Sequence, residues 1–278
     1  MKEIRMNKEQ LVTLQLPYRE AGTKTVRVFV PEHGEEELLP VIYMTDGQNL
    51  FEDNRPRQFG CWYTREAVKE ERKKSGKAAI IVGIHNDESP VQRAKELTPK
   101  SIGAIIFPDD MPEHVRKMMA PEGELFDDFV VNTVMPEIEK RFPVQTGREY
   151  TAFCGSSSGG LQAYYTVLSH PDQFCMAGVF SPTFPILYPE DVIRWTRETV
   201  GEIKPYLYIY SGSNDIMEQE ICESTEAVVE AISEFYPKEK LKVNILPEQP
   251  HHESAWAAVF KELLHTFLTQ KRSFYTDT

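Results

Sequence analysis

The chain has 278 residues, 41% of them hydrophobic, and a formal net charge of −12. This length and apolar content can bury one large α/β core or two small ones. The negative charge argues against nucleic acid or an anionic membrane as a partner. The opening residues, Met1-Lys2-Glu3-Ile4-Arg5, lack the apolar stretch of a secretory signal, and no run approaches transmembrane length, so the cytoplasm is the expected compartment. Cys61, Cys154, Cys175 and Cys222 lie far apart without Cys-x-x-Cys or Cys/His spacing, which predicts buried free thiols and no metal cage.

In chain order, residues 11–16 and 25–30 alternate as two antiparallel strands joined by a turn around Ala21-Gly22. From residue 40 the rhythm becomes strand and helix by turns. Strands are predicted at 41–44, 79–83, 150–154, 176–180, 206–210 and 241–246. Helices are predicted at 63–74, 126–142, 161–170, 191–200, 221–235 and 255–268. Such alternation implies a mostly parallel central sheet of about eight strands, helices on both faces and an antiparallel N-terminal edge. No repeat or linker divides residues 1–278, so one α/β domain is expected. The stretch from His85 to Glu124 breaks the rhythm, being rich in Pro and Met with scattered apolar residues such as Phe107. A segment of that length beyond a strand's carboxyl end is expected to act as a lid or substrate-pocket insertion.

Gly155-Ser156-Ser157-Ser158-Gly159 stands between the strand-like run 150–154 and a helix-like run from Leu161. Strand, G-x-S-x-G and helix together form the pattern of a nucleophile elbow, with Ser157 as the exposed hydroxyl. A serine nucleophile needs a neutral imidazole as base and a carboxylate to fix that imidazole's tautomer. Four histidines follow Ser157. His170 ends the elbow helix, where capping and the helix dipole account for it. His265 lies inside the last helix. His251 and His252 fall in the loop between the last strand and last helix, where one imidazole can swing over the elbow. A metal reading of His251-His252-Glu253 is disfavoured because His-Glu-x-x-His is absent. Asp215, in the turn after strand 206–210, is the expected acid, with Glu218 in reserve.

These residues carry a resemblance. Its segments are Tyr43-Met44-Thr45-Asp46-Gly47-Gln48-Asn49, the pair Gly83-Ile84, Arg93-x-x-Glu96-Leu97-Thr98-Pro99, the elbow with its extra Gly160, Phe180-Ser181-Pro182 and His251-His252-Glu253-Ser254-Ala255-Trp256. Together they resemble the Putative esterase family of α/β-hydrolases. That family includes esterase D-like, enterochelin, feruloyl and acetylxylan esterases. The resemblance implies an α/β-hydrolase fold and a serine carboxylesterase without cofactor or metal, acting on a small acetyl-, feruloyl- or siderophore-type ester. It selects His251 over His252 as the base. It implies an oxyanion hole from the Ser158 N–H and the Gly47-Gln48 loop. His85, Arg93, His252 and Phe107 are the candidate substrate-binding residues. An acyltransferase using the same triad and a non-catalytic binding protein are the alternatives, and a homo-oligomer is left open. A base of this kind predicts activity that falls as pH drops through roughly 6 to 7.

Overall fold

The computed structural model describes residues 6–20, 22–51 and 60–276. The turn expected at Ala21-Gly22 therefore lies partly outside the described residues. A two-stranded ribbon pairs β1 (Met6–Asn7) with β4 (His33–Gly34). The main sheet has eight strands. They are β2 (Gln10–Tyr18), β3 (Gly22–Val30), β5 (Val41–Met44), β6 (Ile80–Ile84), β7 (Thr151–Ser156), β8 (Met176–Phe180), β9 (Tyr206–Ser211) and β10 (Leu241–Ile245). Their spatial order is β10-β9-β8-β7-β5-β6-β3-β2. Strands β5 to β10 run parallel to one another, while β3, antiparallel to β6, and β2 add an antiparallel edge.

Period-two alternation divides the side chains between two cores. Val41 and Tyr43 of β5 join the cluster on one face, with Val82 of β6, Phe153 of β7 and Ile209 of β9. Ile42 and Met44 join the other, with Ile81, Cys154 and Tyr208. The first face is covered by α4 (Gly123–Phe129), α5 (Met135–Arg141), α6 (Ser158–Ser169), α7 (Pro189–Thr199) and α8 (Ile216–Ile232). The second is covered by α1 (Thr64–Ser75) and α9 (Glu253–Thr269). A π-helical turn at Val130–Val134 joins α4 to α5, so the helix expected at 126–142 forms one long element with a local bulge. All four cysteines are free and buried, and among the described residues no helix is long and apolar enough to cross a membrane.

The segment 85–124 is more ordered than its composition suggests. It holds α2 (Pro90–Glu96) and α3 (Glu113–Met118), and it leans on the start of α7. Ile105 bridges Leu187, and a Cβ on Gly103 would sit 2.6 Å from the Asp191 side chain.

Candidate active site

Strand order reverses at β5, which has β6 on one side and β7 on the other. Crevices at such switch points, outside the carboxyl ends of the strands, are where open α/β sheets bind ligands. Both β5 and β7 end in unusual backbone. Ser157, immediately past β7, has φ 59° and ψ −125°, and caps the N-terminus of α6. An L-residue held in this sparsely populated region stores strain of order 1–3 kcal/mol, sustained by its surroundings. Here the surroundings are specific. A Cβ on Gly155 would lie 2.3 Å from the Gly159 carbonyl oxygen, and one on Gly159 would lie 2.1 Å from Thr45 Oγ1. The Ser157 N–H donates to the Phe180 carbonyl at 2.9 Å, and its own carbonyl accepts from the Thr183 N–H at 3.2 Å. The elbow is thus pinned to the end of β8.

Past β5, Asp46 is left-handed (φ 54°) and opens a short 3₁₀ turn, Gly47–Asn49. Gly47 is required there, since a Cβ would meet the Gly83 backbone at 2.4 Å. The Asp46 carboxylate is buried and takes a two-pronged ion pair from Arg93, Nε to Oδ1 at 2.5 Å and Nη2 to Oδ2 at 2.8 Å. Arg93 Nη2 also donates to the Ser156 carbonyl at 3.2 Å. One guanidinium therefore ties the turn after β5 to the residue before the elbow serine. Ser158, as the first residue of α6, turns a main-chain N–H out of the helix, where no intrahelical acceptor exists. Gln48 is held by its side chain, whose Oε1 accepts from the Asn86 N–H at 3.2 Å.

His251 lies in the loop before α9. Its ring Nδ1 meets Glu218 Oε2 at 2.5 Å, and its ring stands edge-on to Trp256 with centroids 5.0 Å apart. The expected acid is corrected by this geometry. Asp215 does not reach the imidazole. It caps α8, its Oδ1 accepting from the Glu218 N–H at 2.9 Å, and its Oδ2 accepts from the His251 main-chain N–H at 2.9 Å. Glu218 sits in the first turn of α8 and points back to the strand ends, wholly buried. Burial alone would raise its carboxyl, but hydrogen bonds from His251, Ser181 and the Gly212 N–H outweigh it and hold the group below the ordinary carboxylate value. The sequence signal was present in Asp215-x-x-Glu218, the spacing of a helix cap followed three residues later by an acid, which assigns Asp215 to the cap.

The end of β8 links Ser157 to Glu218, the partner of the His251 ring. Phe180 accepts the Ser157 N–H, and the next residue, Ser181, bonds both Glu218 and Trp256. Among the described residues, no hydrogen bond joins the Ser157 hydroxyl to the His251 ring. Such links are often long before substrate is bound.

The four expected substrate contacts are placed differently. Arg93 is spent on Asp46 and Ser156, as above. His252 caps α9, its Nδ1 accepting from the Ser254 N–H at 3.1 Å. His85 belongs to the sheet through its backbone, its N–H donating to Thr25 at 2.9 Å and its carbonyl accepting from Lys24 Nζ at 3.1 Å. Phe107 faces a cavity of about 350 Å³ inside the 85–124 segment, lined also by Ile105, Arg116 and Pro121.

One acidic residue near the site went unassigned in the sequence. Glu253, in the first turn of α9, is 6% exposed and accepts from Asn49 Nδ2 at 3.3 Å. Burial pushes its carboxyl up to about 7, with nearby Asp46 adding to the rise and Arg93 opposing it. Among the described residues, no group of three or more His, Cys, Asp or Glu is arranged to hold a metal ion.

Comparison with known proteins gives the family and the fold. The family model described as Putative esterase matches residues 21–257. The BES protein from Bacillus cereus is 21% identical, with a TM-score of 0.67 over 96% of this chain and 98% of that one. The siderophore hydrolase EstA from Aspergillus nidulans is 18% identical, with a TM-score of 0.68 over 91% and 94%. A CE1 ferulic acid esterase from Anaeromyces mucronatus is 20% identical, with a TM-score of 0.57 over 96% and 92%. At these identities the solved structures establish a shared fold.

Proposed function

Since this chain belongs to the Putative esterase family and is a carboxylic ester hydrolase with the α/β-hydrolase fold, we propose that it works through a Ser157–His251–Glu218 triad and an acyl-enzyme. On this reading Ser157 Oγ attacks the ester carbonyl while His251 Nε2 takes the hydroxyl proton. Glu218 holds the opposite ring nitrogen and stabilises the imidazolium. The main-chain N–H groups of Ser158 and Gln48 receive the developing oxyanion, an interaction worth roughly 10²–10³ in rate for each donor. The tetrahedral intermediate collapses, and the alcohol leaves with the proton from His251. Water, deprotonated by the same imidazole, then attacks the acyl-enzyme, releasing the acid and restoring Ser157.

The observation that carries this reading is the His251–Glu218 contact beside a serine held in the strained elbow conformation. The substrate is a small ester, and the acetyl, feruloyl and siderophore classes remain the proposed candidates. Two of the structural neighbours are named as a siderophore hydrolase and a ferulic acid esterase. The segment 85–124 is proposed to border the substrate site, and the four buried free thiols suit a reducing, cytoplasmic setting. A serine-reactive phosphonate tests the mechanism. One equivalent should label the folded enzyme and none the Ser157→Ala variant. A folded wild-type protein that resists labelling at all pH values would defeat the reading.

A further inference from the structure

Glu218 is itself gripped. While Oε2 takes His251 Nδ1, Oε1 accepts from Ser181 Oγ at 2.5 Å, Ser211 Oγ at 3.1 Å and the Gly212 N–H at 2.7 Å. Ser181 is fully buried just past β8, in a left-handed backbone (φ 42°) that aims its hydroxyl at this carboxylate. Its oxygen in turn accepts from the Trp256 indole Nε1–H at 3.0 Å. A hydroxyl has one proton to give. With the indole N–H directed at its oxygen, that proton is left for Glu218, and the two bonds polarise each other. The Trp256 ring also packs edge-on against His251. A single side chain of α9 therefore touches the base directly and the acid through one hydroxyl.

We propose that Trp256 and Ser181 are positioning residues that set how firmly Glu218 holds the His251 imidazole. This rests on the hydrolase reading only in giving His251 a catalytic task. The physical argument is electrostatic. Each donor on Oε1 draws charge from the carboxylate and weakens its attraction for the protonated ring. Taking a donor away strengthens that attraction, so the ring stays protonated to a higher pH. Other groups facing this pair are the Asp215 carboxylate at the His251 main chain, Glu253 on α9, Tyr210 on β9 and Cys222 on α8. The substitutions below leave all four in place.

The test is an NMR titration of the His251 ring, identified by its loss in His251→Gln, in Ser181→Ala, Trp256→Phe and the double variant. Circular dichroism serves to confirm that each is folded. Ser181→Ala should move the midpoint upward by roughly 0.5–1 pH unit. Trp256→Phe, which keeps the aromatic ring but loses the N–H, should move it the same way by less. The double variant should move no further than Ser181→Ala alone, because Trp256 acts through Ser181. The acid limb of the pH–rate profile should follow. An unmoved midpoint in either folded single variant, or a full Trp256→Phe shift added on top of Ser181→Ala, overturns the proposal. The titration reads the ring and not turnover. Failed phosphonate labelling of wild type would therefore sink the hydrolase reading while leaving this result standing.

Discussion

Two carboxylates lie one helical turn apart beside His251, and substitution by the matching amide separates their contributions. Glu218→Gln removes the charge that stabilises the imidazolium and offers an N–H₂ where an acceptor is needed. It should lower kcat by roughly 10²–10⁴ in steady-state assays with an activated ester. Asp215→Asn keeps a competent cap on α8, since Asn and Asp are comparable there, and should cost less than about 1 kcal/mol in stability. Its effect on kcat should stay within about tenfold, because it bonds the main chain of His251 and of Glu218 and not the imidazole. The reverse ranking would restore Asp215 as the acid. Glu253 yields a different experiment. In the folded protein its carboxyl is raised from 4.5 to about 7. It is thus neutral in both folded and unfolded chains below pH 4.5, and imposes no penalty there. As pH rises from 4.5 to about 7, the unfolded chain ionises while the folded one resists, so stability falls across that window and levels off above it. Glu253→Gln should therefore raise Tm at pH 8, by an amount equivalent to at most about 3 kcal/mol. At pH 4 the variant and parent should melt together.

At the level of elements, Arg93 of α2 shows how the site is braced. It joins the turn after β5 to the residue preceding Ser157, and its partner Asp46 is 5% exposed. Arg93→Met leaves that carboxylate buried without a counter-charge, with only the Thr45 hydroxyl, among the described residues, still donating to it, an arrangement that typically costs about 3–5 kcal/mol. Urea denaturation should show this as a lowered midpoint. A substrate-contact role would instead raise KM and leave the midpoint where it was. The elements themselves were legible from period. Each strand of the main sheet was foreshadowed by a short apolar run, and each long helix by 3.6-residue spacing, with boundaries displaced by a few residues at helix starts. The segment 85–124 was less legible, since α2 and α3 are only 7 and 6 residues long. Helices that short carry little periodicity, and α2 is placed by its packing on α4. The site divided similarly. Ser157 and His251 stand in loops whose spacing is dictated by chemistry, whereas the choice between Asp215 and Glu218 depended on which way one turn of α8 faces.

For the molecule as a whole, stability should grade from the sheet's middle outward. Strands β5 and β7 pair with each other and are buried on both faces, with Val41 to Met44 at most 1% exposed. β10 is only half-buried, and β2 carries exposed positions along its length. Native-state hydrogen exchange should find the slowest amides in β5 and β7 and faster ones in β2 and β10. Equal protection across all eight strands would refute that gradient.

The reversal of strand order at β5 has a consequence for how the enzyme fails. Ser157 and the turn Gly47–Asn49 both hang from the sheet's two innermost neighbours. Peeling of β2 leaves both in register, whereas peeling of β10 frees the loop that carries His251. Under gradual warming, turnover should therefore be lost before the central strands open, leaving an inactive species whose middle strands are still protected.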